Sequence, residues 1–379
     1  MKTIIDTSLE QLTANGNLRR LPNDSCNSGR IDLSSNDYLG LASRPELQQE
    51  FLQSCDLSHM QMSSSASRLL SRIQQPFAQL EQTLSQAYGD DRAALLFNSG
   101  YHANTGLISA FAGTGAFILA DKLVHASIID GIKLSGLPFA RFRHNDYDHL
   151  GRLAQKAASD GMRLVIVAES VYSMDGDSAD IDALAEVKRQ YPESLLYIDE
   201  AHAIGVEGPA GLGLAMASNS FRDVDILVGT FGKALASSGA FAILSRQMRE
   251  YMVNKARSLI FSTALPPISV LWSRFIFNRA LGMDTERIYL KRLGHILSKQ
   301  LAKVGGTGGN GHIQPLIIGN PAKAVTLSQA LQEEGYDVLP IRTPTVPPGT
   351  DRLRFSLSAA ISTDSIAELG HILEKTVTR

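Results

Sequence analysis

Cysteine and tryptophan are scarce in this chain, with two and one respectively, and its 379 residues carry a formal net charge of only −2. Cys26 and Cys55 lack metal-ligand spacing and are too few for a disulfide-stapled secreted scaffold, so both fit a reducing compartment. A balance of 36 basic against 38 acidic side chains gives no footprint for nucleic acid or an anionic membrane. No apolar run approaches the ~20 residues that a membrane-spanning helix needs. The first residues reach Asp6 before any apolar signal core develops, which makes the cytoplasm the expected location. Repeats, low-complexity tracts and histidine clusters are also missing, and small metabolites become the expected partners.

With 44% hydrophobic residues, the chain can bury a substantial core and is expected to divide into a large and a smaller domain. Short apolar runs, each ending in polar or glycine residues and followed by helical patterning, give the rhythm of a parallel α/β sheet. Five such runs are Ala93 to Phe97, Phe117 to Ala120, Leu164 to Ala168, Leu195 to Ile198 and Ile226 to Val228. Ligands of open α/β sheets bind beyond the carboxyl ends of the strands. That rule gathers Ser99, His125, Ser173, Asp199, His202, Thr230 and Lys233 around one crevice.

Lys233 lies in Gly229-Thr230-Phe231-Gly232-Lys233-Ala234, among residues small enough to admit a flat cofactor beside its amine, and an amine so placed can form a Schiff base. Asp199, 34 positions earlier, leaves room for a crossover helix and brings an acid into the same pocket. An aspartate facing a pyridinium nitrogen beside a Schiff-base lysine is the recurring arrangement for pyridoxal 5′-phosphate (PLP). A structural Asp–Lys ion pair is the competing reading. His202 could reach a phenolic oxygen of the cofactor, His125 is flat enough to stack on its ring, and Ser173 and Thr230 add hydroxyls. Asn98-Ser99-Gly100-Tyr101 joins a strand to a helix, where free N–H groups would favour a phosphate.

Asp199-Glu200-Ala201-His202 also spells a helicase metal box. That reading fails, because no phosphate loop precedes it, Gly232-Lys233 is followed by Ala234, and Leu227 stands where the loop's first glycine belongs. No metal site is expected. Arg354, alternating with apolar residues in Arg352-Leu353-Arg354-Phe355, could hold a substrate carboxylate or be a solvated edge-strand arginine. Arg342, Arg19 and Arg20 are similarly open.

Four stretches together resemble the α-oxoamine synthases, PLP enzymes of fold type I: Leu33 to Leu41, Ser173-Met174-Asp175-Gly176-Asp177, Asp199 to His202 and Thr230 to Lys233. The resemblance runs from about residue 17 to the C-terminus. It implies a large domain with a central, mostly parallel sheet and a smaller α+β C-terminal domain. The expected division is an N-terminal segment 1–45, a PLP-binding domain 46–270 and a C-terminal domain 271–379. It further implies that Lys233 carries the cofactor, Asp199 pairs with its ring nitrogen, His125 stacks over the ring, and Ser173 and His202 approach the phenolic oxygen. Gly100, Tyr101 and Thr230 match cofactor-side positions. Ser262 or Thr263 would reach a neighbouring subunit's phosphate in a homodimer with shared sites. Arg19, Asn36, His125, Thr345 and Arg354 match substrate-contacting positions.

Within the family, Ile313 to Ile317 and Ile341 to Pro347 look most like the branch that joins L-alanine to a pimeloyl thioester, an acyltransferase reaction. Another amino acid and acyl thioester, or a PLP-binding regulator without catalysis, are the rivals. The chain departs from the family pattern at Ser63-Ser64-Ser65-Ala66-Ser67-Arg68 and at Arg72, where glycines are usual, and at Phe77, where histidine is common. These departures bear on how the acyl chain threads in.

Overall fold

The structure is a computed structural model and describes residues 3–14, 16–19, 21, 29–56, 60–306, 309 and 311–377. Cys26 and Arg20 lie outside them. The chain divides into two compact units: a large one of residues 39–173 and 177–287, and a small one of 1–38, 174–176 and 288–379.

Seven strands form one sheet in the large unit: β1 (Arg92–Phe97), β2 (Ala116–Asp121), β3 (Phe139–Phe142), β4 (Arg163–Glu169), β5 (Leu195–Asp199), β6 (Ile226–Thr230) and β7 (Ala240–Ser245). Their order is β1-β7-β6-β5-β4-β2-β3, with β7 alone antiparallel to its neighbours. The five expected runs all become strands of this sheet, and β3 and β7 add two more. In β4, Leu164 through Ala168 are each no more than 1% exposed, so alternate side chains are buried on both faces. Each fully buried Val, Leu or Ile contributes ~1.5–3 kcal/mol relative to exposure, which explains why these strands read as unbroken apolar runs.

Helices start where the sequence supplies caps. Ser99 Oγ accepts from His102 N ahead of the helix Gly100–Ser109, and Asp146 and Asp180 cap the helices Tyr147–Ser159 and Ile181–Arg189. The helix Ala126–Ser135 is capped by His125, whose Nδ1 accepts from Ser127 N. This helix packs on Gly100–Ser109 at Gly131, where a Cβ would come within 2.9 Å of the Asn104 carbonyl oxygen. Replacing Gly131 with alanine should therefore push the helices apart and destabilise the large unit by about 1–3 kcal/mol, as overpacking does. Thermal unfolding will measure it, and an unchanged midpoint would show that the contact is not tight.

One expectation is corrected within this unit. The crossover between β5 and β6 is not a full helix but a four-residue turn of helix, Leu214–Ala217, between 3₁₀ turns. Glycines 205, 208, 211 and 213, all with positive φ, break any longer helix. After Pro266 come two helices, Pro267–Leu281 and Asp284–Lys303, parted where Arg287 donates to the carbonyls of Ala280 and Leu281. Phe77 is buried, and the Arg68 guanidinium lies 4.3 Å from its ring centroid. Ser64 Oγ donates to Leu265 O at 2.7 Å, and Ala264 N donates to Ala66 O at 2.9 Å. The serine-rich stretch is thus bonded to the segment 261–265.

The small unit holds a three-stranded antiparallel sheet, β9-β10-β8, of β8 (Ile313–Ile317), β9 (Pro340–Ile341) and β10 (Arg352–Ser356). The division differs from the expected 1–45, 46–270 and 271–379. Residues 31–32 pair in parallel with 336–337, which draws the N-terminal segment into the small unit. The helix Pro267–Leu281 packs on Gln75–Tyr88, which keeps it in the large one. Among the described residues no helix is long and apolar enough to cross a membrane.

Candidate active site

In the large unit the polar residues at the strand ends converge. Asp199, the last residue of β5, is 4% exposed; its Oδ2 accepts from Asn104 Nδ2 at 2.7 Å and its Oδ1 from Ala201 N at 2.9 Å. Asn104 is held by two further bonds, from Tyr197 OH to its Oδ1 at 2.6 Å and from its Nδ2 to Ser127 Oγ at 2.9 Å. Ser127 Oγ lies 2.7 Å from His125 Nδ1. One hydrogen-bonded chain therefore links Tyr197, Asn104, Asp199, Ser127 and His125, and it fixes both Asp199 and the histidine ring.

Three residues beyond β6, Lys233 Nζ lies 2.7 Å from Nε2 of the buried His202. The two nitrogens are within hydrogen-bond distance, so one donates to the other. His125 is an exposed residue, yet desolvation by the surrounding protein lowers its pKa; Asp199 opposes that shift and Lys233 adds to it. With Nδ1 accepting from Ser127 N at 3.2 Å, His125 caps the helix through an unprotonated ring nitrogen. Glu169, the register partner of Asp199 on β4, accepts from His125 N. Burial, and then the neighbouring Asp199, push Glu169 well above the usual carboxylate range. Two carboxylates thus end adjacent strands, and the protein favours the neutral form of one.

The other residues that the sequence assigns to a cofactor have the following partners. Gly100 and Tyr101 open the helix capped by Ser99, where first-turn N–H groups have no intrahelical acceptor. A Cβ on Gly100 would lie 3.9 Å from Thr230 Cβ, so the two positions face each other. Thr230 Oγ1 donates to Gly239 O at 3.1 Å and accepts from Gly232 N at 3.2 Å. Tyr101 OH donates to Asp130 Oδ2 at 2.6 Å. Ser173 is half-buried on the turn closed by the Val171–Ser178 bridge. Ser262 Oγ and Thr263 O both accept from Asn98 Nδ2, at 3.0 and 2.6 Å, next to the Ser99 cap.

A second group belongs to the small unit. Arg354 sits on β10, the central strand of its sheet, and is 7% exposed, which corrects the reading of a solvated edge arginine. Its guanidinium donates to Ser356 Oγ at 2.9 Å and to Asn36 Oδ1 at 3.0 Å. Tyr38 OH donates to the same Asn36 oxygen at 2.9 Å, and burial pushes this phenol up to about 12. Arg19 Nη2 donates to Thr345 Oγ1 at 2.7 Å, on a cavity of about 220 Å³ that Arg342 also lines. Asn104, Ser127, Tyr197 and Glu169 were not in the sequence-derived set. Glu169 had the signal, a carboxylate ending a buried strand. Among the described residues no group of three or more His, Cys, Asp or Glu could hold a metal ion.

The family model for aminotransferase class I and II matches residues 28–373, and the chain belongs to that family. A relative from Haemophilus influenzae, described as "Putative 8-amino-7-oxononanoate synthase", is 46% identical over 370 residues, 95% of this chain and 97% of its own. The solved 8-amino-7-oxononanoate synthase of Francisella tularensis is 29% identical with a TM-score of 0.77, over 93% of this chain and 99% of that one. A lysine-to-alanine variant of serine palmitoyltransferase from S. paucimobilis, solved with a bound PLP–myriocin aldimine, is 25% identical with a TM-score of 0.88, over 98% and 96%. The chain is a PLP-dependent enzyme of the 8-amino-7-oxononanoate synthase type and has the fold of type I PLP enzymes. Its residues suit that cofactor: a lysine amine, two buried carboxyl groups at adjacent strand ends, and a capped helix N-terminus share the carboxyl edge of one sheet.

Proposed function

We propose that this enzyme condenses L-alanine with a pimeloyl thioester of coenzyme A or an acyl carrier protein. It releases the thiol and CO₂ and gives 8-amino-7-oxononanoate for biotin synthesis, acting as a cytoplasmic homodimer with shared sites. One observation carries the reading: Lys233 with His202, and Asp199 held by Asn104, stand at the strand ends of a chain that aligns almost end to end with relatives of that name. Bound PLP supplies the electron sink for bond breaking at the alanine Cα.

Lys233 would attach the cofactor, Asp199 would pair with its ring nitrogen, and His125 would cover the ring face. Ser173 and His202 would meet the phenolic oxygen. Gly100, Tyr101 and Thr230 would hold the phosphate, with Ser262 and Thr263 serving the neighbouring subunit. Arg354 would bind the alanine carboxylate, with Asn36, Arg19, Thr345 and His125 as further substrate contacts. Once the alanine amine has displaced it from the cofactor, the freed Lys233 amine would take the Cα proton. Cα then bonds to the acyl carbon as the C–S bond breaks, the original carboxylate leaves as CO₂, and a proton returns to Cα.

The test is a matrix of alanine, glycine and serine against pimeloyl, acetyl and palmitoyl thioesters, scored by free thiol and product mass. The similarity to serine palmitoyltransferase makes serine with palmitoyl thioester the pair to exclude, and turnover favouring that pair overturns the assignment. Arg354→Lys keeps the charge but loses the fork that matches a carboxylate. It should raise the KM for alanine about 10- to 100-fold, in line with the ~1.5–3 kcal/mol of a hydrogen bond to a charged group. A KM within twofold of the parent would remove Arg354 from that role.

A further inference from the structure

His144, which no functional reading so far uses, has carboxylates at both ends of its ring. Nδ1 lies 2.9 Å from Asp121 Oδ1 and Nε2 lies 2.7 Å from Asp177 Oδ2. Ionised carboxylates only accept, so a ring with a single proton could satisfy one of them and would set a lone pair against the other. Asp121 is fully buried and also accepts from Leu123 N at 2.7 Å and Asn145 N at 3.0 Å. Asp177 is partly exposed and accepts from Asn145 Nδ2 at 2.9 Å. Both settings suit anions, and the arrangement calls for a doubly protonated ring.

The partners make this cluster more than a local ion pair. Asp121 ends β2 and its bonds shape the turn that leads to His125, four residues on. Asp177 belongs to the turn that carries Ser173: its carbonyl accepts from Tyr172 N at 2.9 Å, and the adjacent Ser178 pairs with Val171. The Tyr172 ring stands edge-on to the imidazole, with centroids 4.4 Å apart. We propose that His144 is a positioning residue for the cofactor site, an imidazolium that ties the loop bearing His125 to the loop bearing Ser173. The proposal rests on the reading that those two side chains meet PLP.

Burial alone would make His144 less basic, but its hydrogen bonds to Asp121 and Asp177 and their charges raise it to about 10. Other groups facing the cluster are the buried Tyr172 hydroxyl, which also feels Asp121 and Glu169, and Tyr147, bonded to Asn145 and to Asp180 N. The shift is upward from the ordinary 6.5. The tie is therefore complete below about 6.5 and dissolves as pH climbs through about 10.

Two measurements on the PLP-loaded protein and its variants test this. In ¹⁵N-histidine-labelled holoenzyme at pH 8, the resonances lost in His144→Gln should report two protonated nitrogens; a neutral-ring signature overturns the proposal whatever the cofactor does. Second, the PLP dissociation constant, read by fluorescence titration across pH, should rise about tenfold in His144→Gln at pH 8. In Asp177→Asn, which keeps an acceptor without the charge, the alkaline midpoint for PLP loss should fall by about one pH unit, a shift that a purely structural defect would not give. If the ring is doubly protonated but both variants hold PLP as the parent does, the ion cluster is real and its positioning role is wrong. That result leaves the assignment of Lys233 and Asp199 intact, because those residues are tested separately.

Discussion

Replacing Lys233 with alanine is expected to abolish condensation, with a fall of about 10³- to 10⁴-fold or more, because one side chain would both attach the cofactor and move the Cα proton. The surroundings of the amine make this a clean test. The variant removes the partner of His202 Nε2 at 2.7 Å, while the backbone around it keeps its own bonds, from Ala236 N to Lys233 O and from Ser237 N to Phe231 O. Stability should change little and chemistry greatly. Borohydride treatment followed by mass spectrometry of the peptides gives a second readout: the parent should carry PLP at position 233 and the variant should not. Residual synthase activity above a few per cent of the parent would contradict the assignment.

The second large effect is at Asp199. Asparagine is nearly isosteric but carries no charge, so Asp199→Asn should lower kcat by about 10²- to 10³-fold, the scale seen when a preorganised electrostatic partner is removed. The effect should exceed that of Asn104→Ala, which leaves the carboxylate but frees its position. Asn104 bonds to Asp199, Ser127 and Tyr197, so its loss should weaken PLP retention as well as rate. Steady-state kinetics with PLP in excess separates the two effects. If Asp199→Asn turns over within threefold of the parent, the carboxylate is structural and the cofactor is oriented by something else.

The two carboxylates, Glu169 and Asp199, show what the sequence could and could not convey. Both follow apolar runs that read as buried strands, so both strand ends were legible, and the crevice followed from topology. Only the three-dimensional register makes them neighbours. Asn104 and Tyr197 were hidden for another reason: each lies inside an apolar helix or strand, where a lone polar side chain reads as a satisfied core residue until its partners are known. Strand β7, Ala240 to Ser245, has the same signature, an apolar run through Phe241, Ile243 and Leu244 that ends in a polar residue, but only the register shows that it runs against its neighbours. Arg354 shows the opposite case. Its alternation with apolar residues was correctly seen as a strand, but which face and which place in the sheet depend on β8 and β9, from segments apart in sequence.

The reversal of β7 has a consequence for how such an enzyme can change. Lys233 does not ride on a long crossover but on the short return between two strands that run against each other. The bonds from Phe231 N to Gly239 O and from Trp272 Nε1 to Ala236 O pin both shoulders of that return. The anchor point that Lys233 would give the chemistry is therefore an anvil and not an arm. New preferences for amine or acyl partner must come from surfaces other than this bend, whereas an insertion within it would loosen the tether before it altered what the tether serves.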